Sequence, residues 1–104
     1  MISFIIPTRN EEGTIENTLK CINSYSGEKE IIVSDGGSSD KTIEIARKYA
    51  NKILIHSGPK RQNIPEGRNT GAKEAVGNFI VFIDADVTVP DMNGLMQKAR
   101  AYFE

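Results

Sequence analysis

One cysteine, Cys21, occurs in 104 residues, so no intrachain disulfide can staple the fold. A lone thiol suits a reducing compartment, and cytoplasmic residence is expected. Because Cys21 falls inside an amphipathic pattern, it reads as a packing residue rather than a nucleophile. Charge of one sign is also missing: 13 Lys and Arg face 14 Asp and Glu, for a net charge of -1. That balance does not favour a general nucleic-acid binder, and no nucleic-acid partner is expected. No apolar run approaches membrane-spanning length, so no membrane span is expected. The start, Met1-Ile2-Ser3-Phe4-Ile5-Ile6-Pro7, has no basic segment ahead of its short apolar run and does not read as a signal peptide. Two phosphate-binding signatures are lacking as well, G-x-x-x-x-G-K-[ST] and G-x-G-x-x-G, which excludes a P-loop NTPase and a dinucleotide fingerprint. His56 is the single histidine, and with no assignable partner it reads as a strand-end packing residue.

The residues that are present describe an ordinary globular domain. Apolar residues make up 38% and charged residues 26%, a balance unlike disordered or collagen-like chains. No repeat, low-complexity tract or linker divides residues 1–104, so one domain is expected. Apolar runs at Ile2–Ile6, Glu30–Val33, Ile53–Ile55 and Asn78–Ile83 are short, rich in Ile, Val and Phe, and nearly continuous. Such runs predict strands buried on both faces. Helical spacings separate them: Ile15, Leu19, Ile22; Ile43, Ala46, Ala50; Ala72, Ala75, Val76; and Leu95, Ala99, Tyr102. Asn10 and Asp40 read as N-caps, Gly77 as a stop, and Pro90-Asp91 as the opening of the last helix. The order β-α-β-α-β-α-β-α predicts a Rossmann-like, three-layer α/β/α fold with a mainly parallel sheet of about four strands.

Parallel sheets of this kind bind ligands beyond the carboxyl ends of their strands. Four polar groups fall there: Pro7-Thr8-Arg9-Asn10-Glu11, Asp35 to Asp40, the loop ending Gly67-Arg68-Asn69, and Asp84-Ala85-Asp86. The irregular stretch from His56 to Glu66 is long enough to be a binding loop. Asp84 and Asp86 follow the last strand, where an i, i+2 pair can offer hard oxygen ligands to Mg²⁺ or Mn²⁺ beside a diphosphate. Arg68 falls at the expected start of a helix, a place that favours anions.

These stretches, in this order, resemble the family 2 glycosyltransferases of the GT-A fold. The resemblance rests on Ser3–Glu12, Glu30–Thr42, Gly67–Ala72 and Gly77–Asp86. It implies a donor domain that binds a nucleotide-diphospho-sugar, UDP- or GDP-linked, with Mg²⁺ or Mn²⁺ for inverting sugar transfer in glycan biosynthesis at the cell envelope. On that resemblance Asp35 would accept from the ring N–H of the base, and Pro7, Thr8 and Glu11 would hold the nucleoside. Arg68 would lie near the nucleotide, Asp84 near ribose and metal, and Asp86 would ligate the metal. Arg9 stands where an aromatic is frequent, and Gly36 where a second Asp is frequent.

In that family the acceptor site and the general base follow the D-x-D, whereas here residues 87–104 follow. No catalytic base is assignable, and the chain is expected to lack the acceptor-binding half. A non-catalytic nucleotide-sugar-binding or assembly module is therefore a standing alternative. A remote one is a haloacid-dehalogenase-like phosphatase, because Phe82-Ile83-Asp84-Ala85-Asp86-Val87-Thr88 matches its hydrophobic-D-x-D-x-T opening. That enzyme needs a downstream Lys and further acids, for which eighteen residues are too few. A sheet ending at the strand before Asp84 would leave an unpaired edge, so a homo-oligomer is expected unless the last helix covers it.

Overall fold

The computed structural model describes residues 1–103 and has eight elements in strict alternation. They are β1 (Ile2–Thr8), α1 (Ile15–Asn23), β2 (Lys29–Asp35), α2 (Thr42–Ala46), β3 (Lys52–Ile55), α3 (Ile64–Glu74), β4 (Phe79–Phe82) and α4 (Met92–Phe103). The strands form one sheet in the order β3-β2-β1-β4, every pair parallel. This is the expected Rossmann-like α/β fold. Successive strands first step outward from β1 to β3, and the chain then crosses back to place β4 on the other side of β1. The reversal beside β1 is the switch point at which open α/β sheets leave a crevice.

Side-chain alternation assigns the two faces. Ile2, Phe4 and Ile6 of β1 and Ile31 and Val33 of β2 join Ile15, Leu19, Ile22, Met92 and Met96 in one core, so α1 and α4 cover that face. Ile5 and Ile32 point the other way and are equally buried. There α3 lies close, because Gly71 has no Cβ; one added there would stand inside van der Waals contact with Ile5 Cγ2.

Burial on both faces holds for β1 and β2 alone. The outer strands β3 and β4 are half covered, and Ile80 and Phe82 of β4 are 44% and 46% exposed. Both strands sit at sheet edges, where one layer of helix cannot reach over them. The last helix does not alter this: α4 packs Met96 into the core and sets Arg100 5.8 Å over the Phe79 ring, and among the described residues no strand follows β4 in the sheet. No helix among the described residues is long and apolar enough to cross a membrane.

Four local expectations are corrected. Asn10 does not cap α1, which starts after Thr14; Asn10 takes a left-handed φ of 52° and its Oδ1 accepts from the N–H of Ser39 at 2.8 Å. It clamps one loop to the next instead. The third helix begins a turn earlier than its alanine pattern predicts, because Asn63 and Glu66 form a reciprocal capping box with Ile64 and Pro65 opening the helix. Arg68 therefore stands inside α3, one turn past its start. The same helix ends at Glu74, short of Gly77. Asp40 is displaced as well: Lys41 is the N-cap of α2, and Asp40, one residue ahead of it, accepts at Oδ1 from Thr42 N–H at 2.9 Å; Asp91 opens α4 as expected, its Oδ1 accepting from Gly94 N–H at 2.9 Å.

Candidate functional site

A cavity of about 610 Å³ opens at the carboxyl edge of the sheet. Its sides come from the four stretches expected to supply it, the suspected binding loop among them. From β1 and its loop come Pro7, Thr8, Arg9 and Glu11; from β2 come Ser34 and Gly36; beyond β4 come Asp84, Ala85 and Asp86. The remaining wall is Arg61, Gln62, Asn63, Ile64, Pro65 and Gly67, the approach to α3 and its first turn.

Proline in a central strand needs an explanation, since it removes a ladder donor. Pairing between β1 and β4 ends at Ile5↔Phe82, with Ile83 N–H reaching Ile5 C=O at 3.0 Å. Pro7 lies two residues further along, facing the side where β4 has already stopped. No partner loses a donor there, and the gap between β1 and Asp84 is the cavity mouth. Glu11 is fixed from both ends: its N–H donates to Thr42 Oγ1 at 2.8 Å, and its carboxylate accepts from Thr14 Oγ1 at 3.1 Å. Asp40 accepts from Thr42 at Oδ1 and from Glu12 N–H at Oδ2, the latter at 3.2 Å, which ties the β1–α1 loop to the β2–α2 loop. Burial alone would push the Asp40 carboxyl up, but the Thr42 hydroxyl and N–H, with the Glu12 N–H, outweigh it and hold it below the usual value.

Asp84 and Asp86 are exposed at the mouth, on a turn closed by Val87 N–H to Asp84 C=O at 3.1 Å. Asp84 Oδ1 is 3.3 Å from Arg68 Nη2. The guanidinium also lies 6.0 Å from the Phe82 ring centre, and its Nε has no partner. Arg68 thus reaches the rim by pairing with Asp84 and does not line the cavity. No group of three or more His, Cys, Asp or Glu able to hold a metal occurs among the described residues. Two carboxylates at a cavity mouth still fit Mg²⁺ or Mn²⁺, which are commonly held by one or two carboxylates plus phosphate and water.

Asp35, expected to meet the base directly, is placed differently. Its carboxylate is fully buried and accepts from Gly37 N–H at 2.9 Å, Ser38 N–H at 2.7 Å and Ser38 Oγ at 2.5 Å. It shapes the turn that carries Gly36 and is absent from the cavity lining. Two hydroxyls behave in the opposite way. Thr8 and Ser34 border the cavity, but their hydroxyl oxygens are buried and have no hydrogen-bond partner among the described residues. Ser34 was missed because it reads as the tail of an apolar strand; a lone hydroxyl at the carboxyl end of Ile31-Ile32-Val33 was the available signal. Ile64 and Pro65 belong to the suspected binding loop, as does Gln62, which nothing in the sequence singled out. Lys60 is exposed and its C=O is held 2.6 Å from His56 Nε2, a loop clamp that accounts for the histidine.

Comparison with known proteins agrees with this arrangement. The pattern of glycosyl transferase family 2 matches residues 3–101. A 4,4'-diaponeurosporenoate glycosyltransferase of Staphylococcus haemolyticus is 34% identical over 97% of this chain and 28% of its own length. A cholesterol galactosyltransferase of Borreliella burgdorferi is 38% identical over 96% of this chain and 29% of its own. Among solved structures, Staphylococcus aureus TarS in complex with UDP superposes with a TM-score of 0.76 at 27% identity, covering 95% of this chain and 31% of that one. The mannosyltransferase PcManGT of Pyrobaculum calidifontis, in complex with GDP-Man and Mn²⁺, gives 0.80 at 26% identity, covering 95% and 31%. The chain thus spans about a third or less of each of these relatives.

Proposed function

The chain belongs to glycosyl transferase family 2, and on that premise we propose that it forms the donor site of an inverting glycosyltransferase, binding a UDP- or GDP-linked sugar with Mg²⁺ or Mn²⁺. One observation carries this reading: Asp84 and Asp86 share a single cavity with Pro7, Thr8 and Glu11 at the switch point of a parallel sheet. Solved relatives that hold UDP, or GDP-Man with Mn²⁺, support the ligand class. In the reaction an acceptor oxygen bonds to the anomeric carbon as the bond from that carbon to the diphosphate oxygen breaks. The electron pair leaves with the nucleoside diphosphate, and the acceptor proton passes to a base that we assign to no residue of this chain. A divalent cation supplies charge neutralisation at the departing diphosphate.

Within this chain, Asp86 would hold the metal directly, Asp84 would serve the metal and the ribose, and Arg68, paired with Asp84 at the rim, would add positive charge near the nucleotide. Pro7, Thr8 and Glu11 hold the nucleoside, and Asp35 acts on the base through the Gly36–Ser38 turn. Residues 1–104 are read as the donor-binding domain, with acceptor binding supplied from elsewhere. Cytoplasmic residence and a part in cell-envelope glycan synthesis complete the reading.

Calorimetry with UDP and GDP tests the site. Binding at millimolar concentration in Mn²⁺ that collapses on adding EDTA is the expected result, and indifference to EDTA would sink the metal assignment. Nucleotide binding without release of nucleoside diphosphate from a sugar donor would favour the alternative, a non-catalytic binding module. The position of β4 at the edge of the sheet formed by the described residues, with Ile80 and Phe82 exposed, supports a two-fold assembly of this chain. Light scattering at about 100 µM decides that point, since a monodisperse monomer contradicts it.

A further inference from the structure

Resting on the donor-site reading, we infer that Thr18 of α1, which lies outside the cavity lining, is the residue that positions Asp86 to hold a divalent cation.

Thr18 is 1% exposed and faces the core, on the stripe of α1 that otherwise carries Ile15, Leu19 and Ile22. Threonine is a weak helix former, and inside a helix its hydroxyl ordinarily turns back to a carbonyl of its own helix. Here it does not. Thr18 Oγ1 lies 3.0 Å from the Ala85 C=O and 2.7 Å from the Val87 C=O, across 67 and 69 residues of chain. A hydroxyl has one proton to donate, so the two carbonyls share it. No backbone N–H among the described residues donates to either carbonyl, which leaves Thr18 as their partner.

The two carbonyls bracket Asp86. The Ala85 C=O belongs to the peptide group entering Asp86, and the Val87 C=O to the second peptide group after it. Between these, Val87 N–H donates to Asp84 C=O at 3.1 Å. Three successive planar peptide groups are therefore held, and both backbone torsions of Asp86 lie between the first two. Ala85, 3% exposed, pins the same turn by its methyl group, while Asp84 and Asp86 on either side of it are exposed. Arg68 pairs with Asp84, but no hydrogen bond or ion pair of the described residues holds the Asp86 carboxylate. Its place at the cavity mouth is thus set through the backbone that Thr18 anchors. Mg²⁺ demands near-ideal ligand geometry, and groups that orient a ligand without touching the metal typically change metal affinity by about 10- to 100-fold. Thr18 is a positioning residue of this kind.

The test is a Mn²⁺ titration of the full chain at fixed UDP and, separately, fixed GDP, with bound nucleotide read by equilibrium dialysis for the parent, Thr18→Val and Thr18→Ser. Valine keeps the shape and deletes the hydroxyl; serine keeps the hydroxyl. Thr18→Val should raise the half-saturating Mn²⁺ concentration about tenfold and still reach the parent's plateau. Thr18→Ser should titrate like the parent. An unchanged midpoint in Thr18→Val overturns the inference, as does a lowered plateau at the parent's midpoint, which marks a general defect. A midpoint shifted as far in Thr18→Ser overturns it too, because the hydroxyl is then not responsible. These outcomes leave the donor site standing. If melting curves show Thr18→Val unfolded, Thr18→Ala takes its place, and failure of both to fold makes Thr18 a stability residue and overturns the inference. A parent that binds no nucleotide, or binds it without regard to Mn²⁺, overturns the donor-site reading itself.

Discussion

The two ends of the same sheet handle buried polar groups in opposite ways. At the amino end Glu30 is 6% exposed, yet its carboxylate accepts from Ser3 Oγ at 2.6 Å and Val76 N–H at 2.7 Å, and Lys52 Nζ stands 3.4 Å away. Ser3 Oγ in turn accepts from Gly77 N–H at 2.8 Å. Every member has a partner, and the network ties β1, β2 and β3 to the end of α3. At the carboxyl end, Thr8 and Ser34, on the same two central strands, carry hydroxyls with none. A closed network rigidifies; an open one awaits something else. Stability is therefore concentrated at one end and ligand binding at the other.

Breaking the closed end should have the largest effect. Glu30→Ala strands the Ser3 hydroxyl and the Val76 N–H and should cost about 3 kcal/mol by chemical denaturation, with the nucleotide preference of the folded fraction unaltered. At the open end, Asp86→Ala should leave the melting temperature near the parent's while weakening Mn²⁺-dependent nucleotide binding at least ~100-fold by calorimetry. If the two phenotypes proved alike, the division between the ends would be wrong.

Two glycines on α3 sharpen the comparison. Gly71 meets Ile5 in the middle of the sheet, so Gly71→Ala overpacks a closed contact and should destabilise by about 2 kcal/mol. Gly67 meets Pro7, Gln62 and Ser34 at 3.4 to 3.7 Å, ordinary contact distances. Gly67→Ala should raise thermal stability by up to about 1 kcal/mol through helix propensity while weakening nucleotide binding. Opposite signs on one helix, read by melting curves, are the expected outcome.

Acid gives the smallest effect. Burial pushes the Glu30 carboxyl up, but the Ser3 hydroxyl, the Val76 N–H and Lys52 together bring it below its ordinary 4.5. A carboxyl lowered by folding contributes stability above its unfolded value, and loses that contribution as pH falls through the folded one. Stability should therefore be level above pH 4.5 with respect to this group and decline below it. The Glu30→Gln protein should show a shallower decline.

Much of this was legible in the chain. Ile2–Ile6 and Glu30–Val33 read as buried strands because Ile and Val runs of that length are explained by little else, and both are central. The runs over Ile53–Ile55 and Asn78–Ile83 look the same locally but lie at edges, since composition does not state how many neighbours a strand has. Arg68 was misplaced by a turn because alanine periodicity starts late in α3, while the capping pair Asn63 and Glu66 sits in what reads as loop.

The sequence by itself determined the element order, the parallel sheet, and the fact that Thr8, Asp35 and Asp84 gather at one edge. Those follow from periodicity and from the handedness of crossovers, which act locally along the chain. Which of these groups is free to bind was decided by tertiary structure alone. Asp35 is consumed by its own turn and Arg68 is drawn to Asp84, whereas Asp86 stays exposed at the cavity mouth. Hydrogen-bond saturation depends on atoms from distant positions meeting in space, so no reading of a residue among its sequence neighbours contains it.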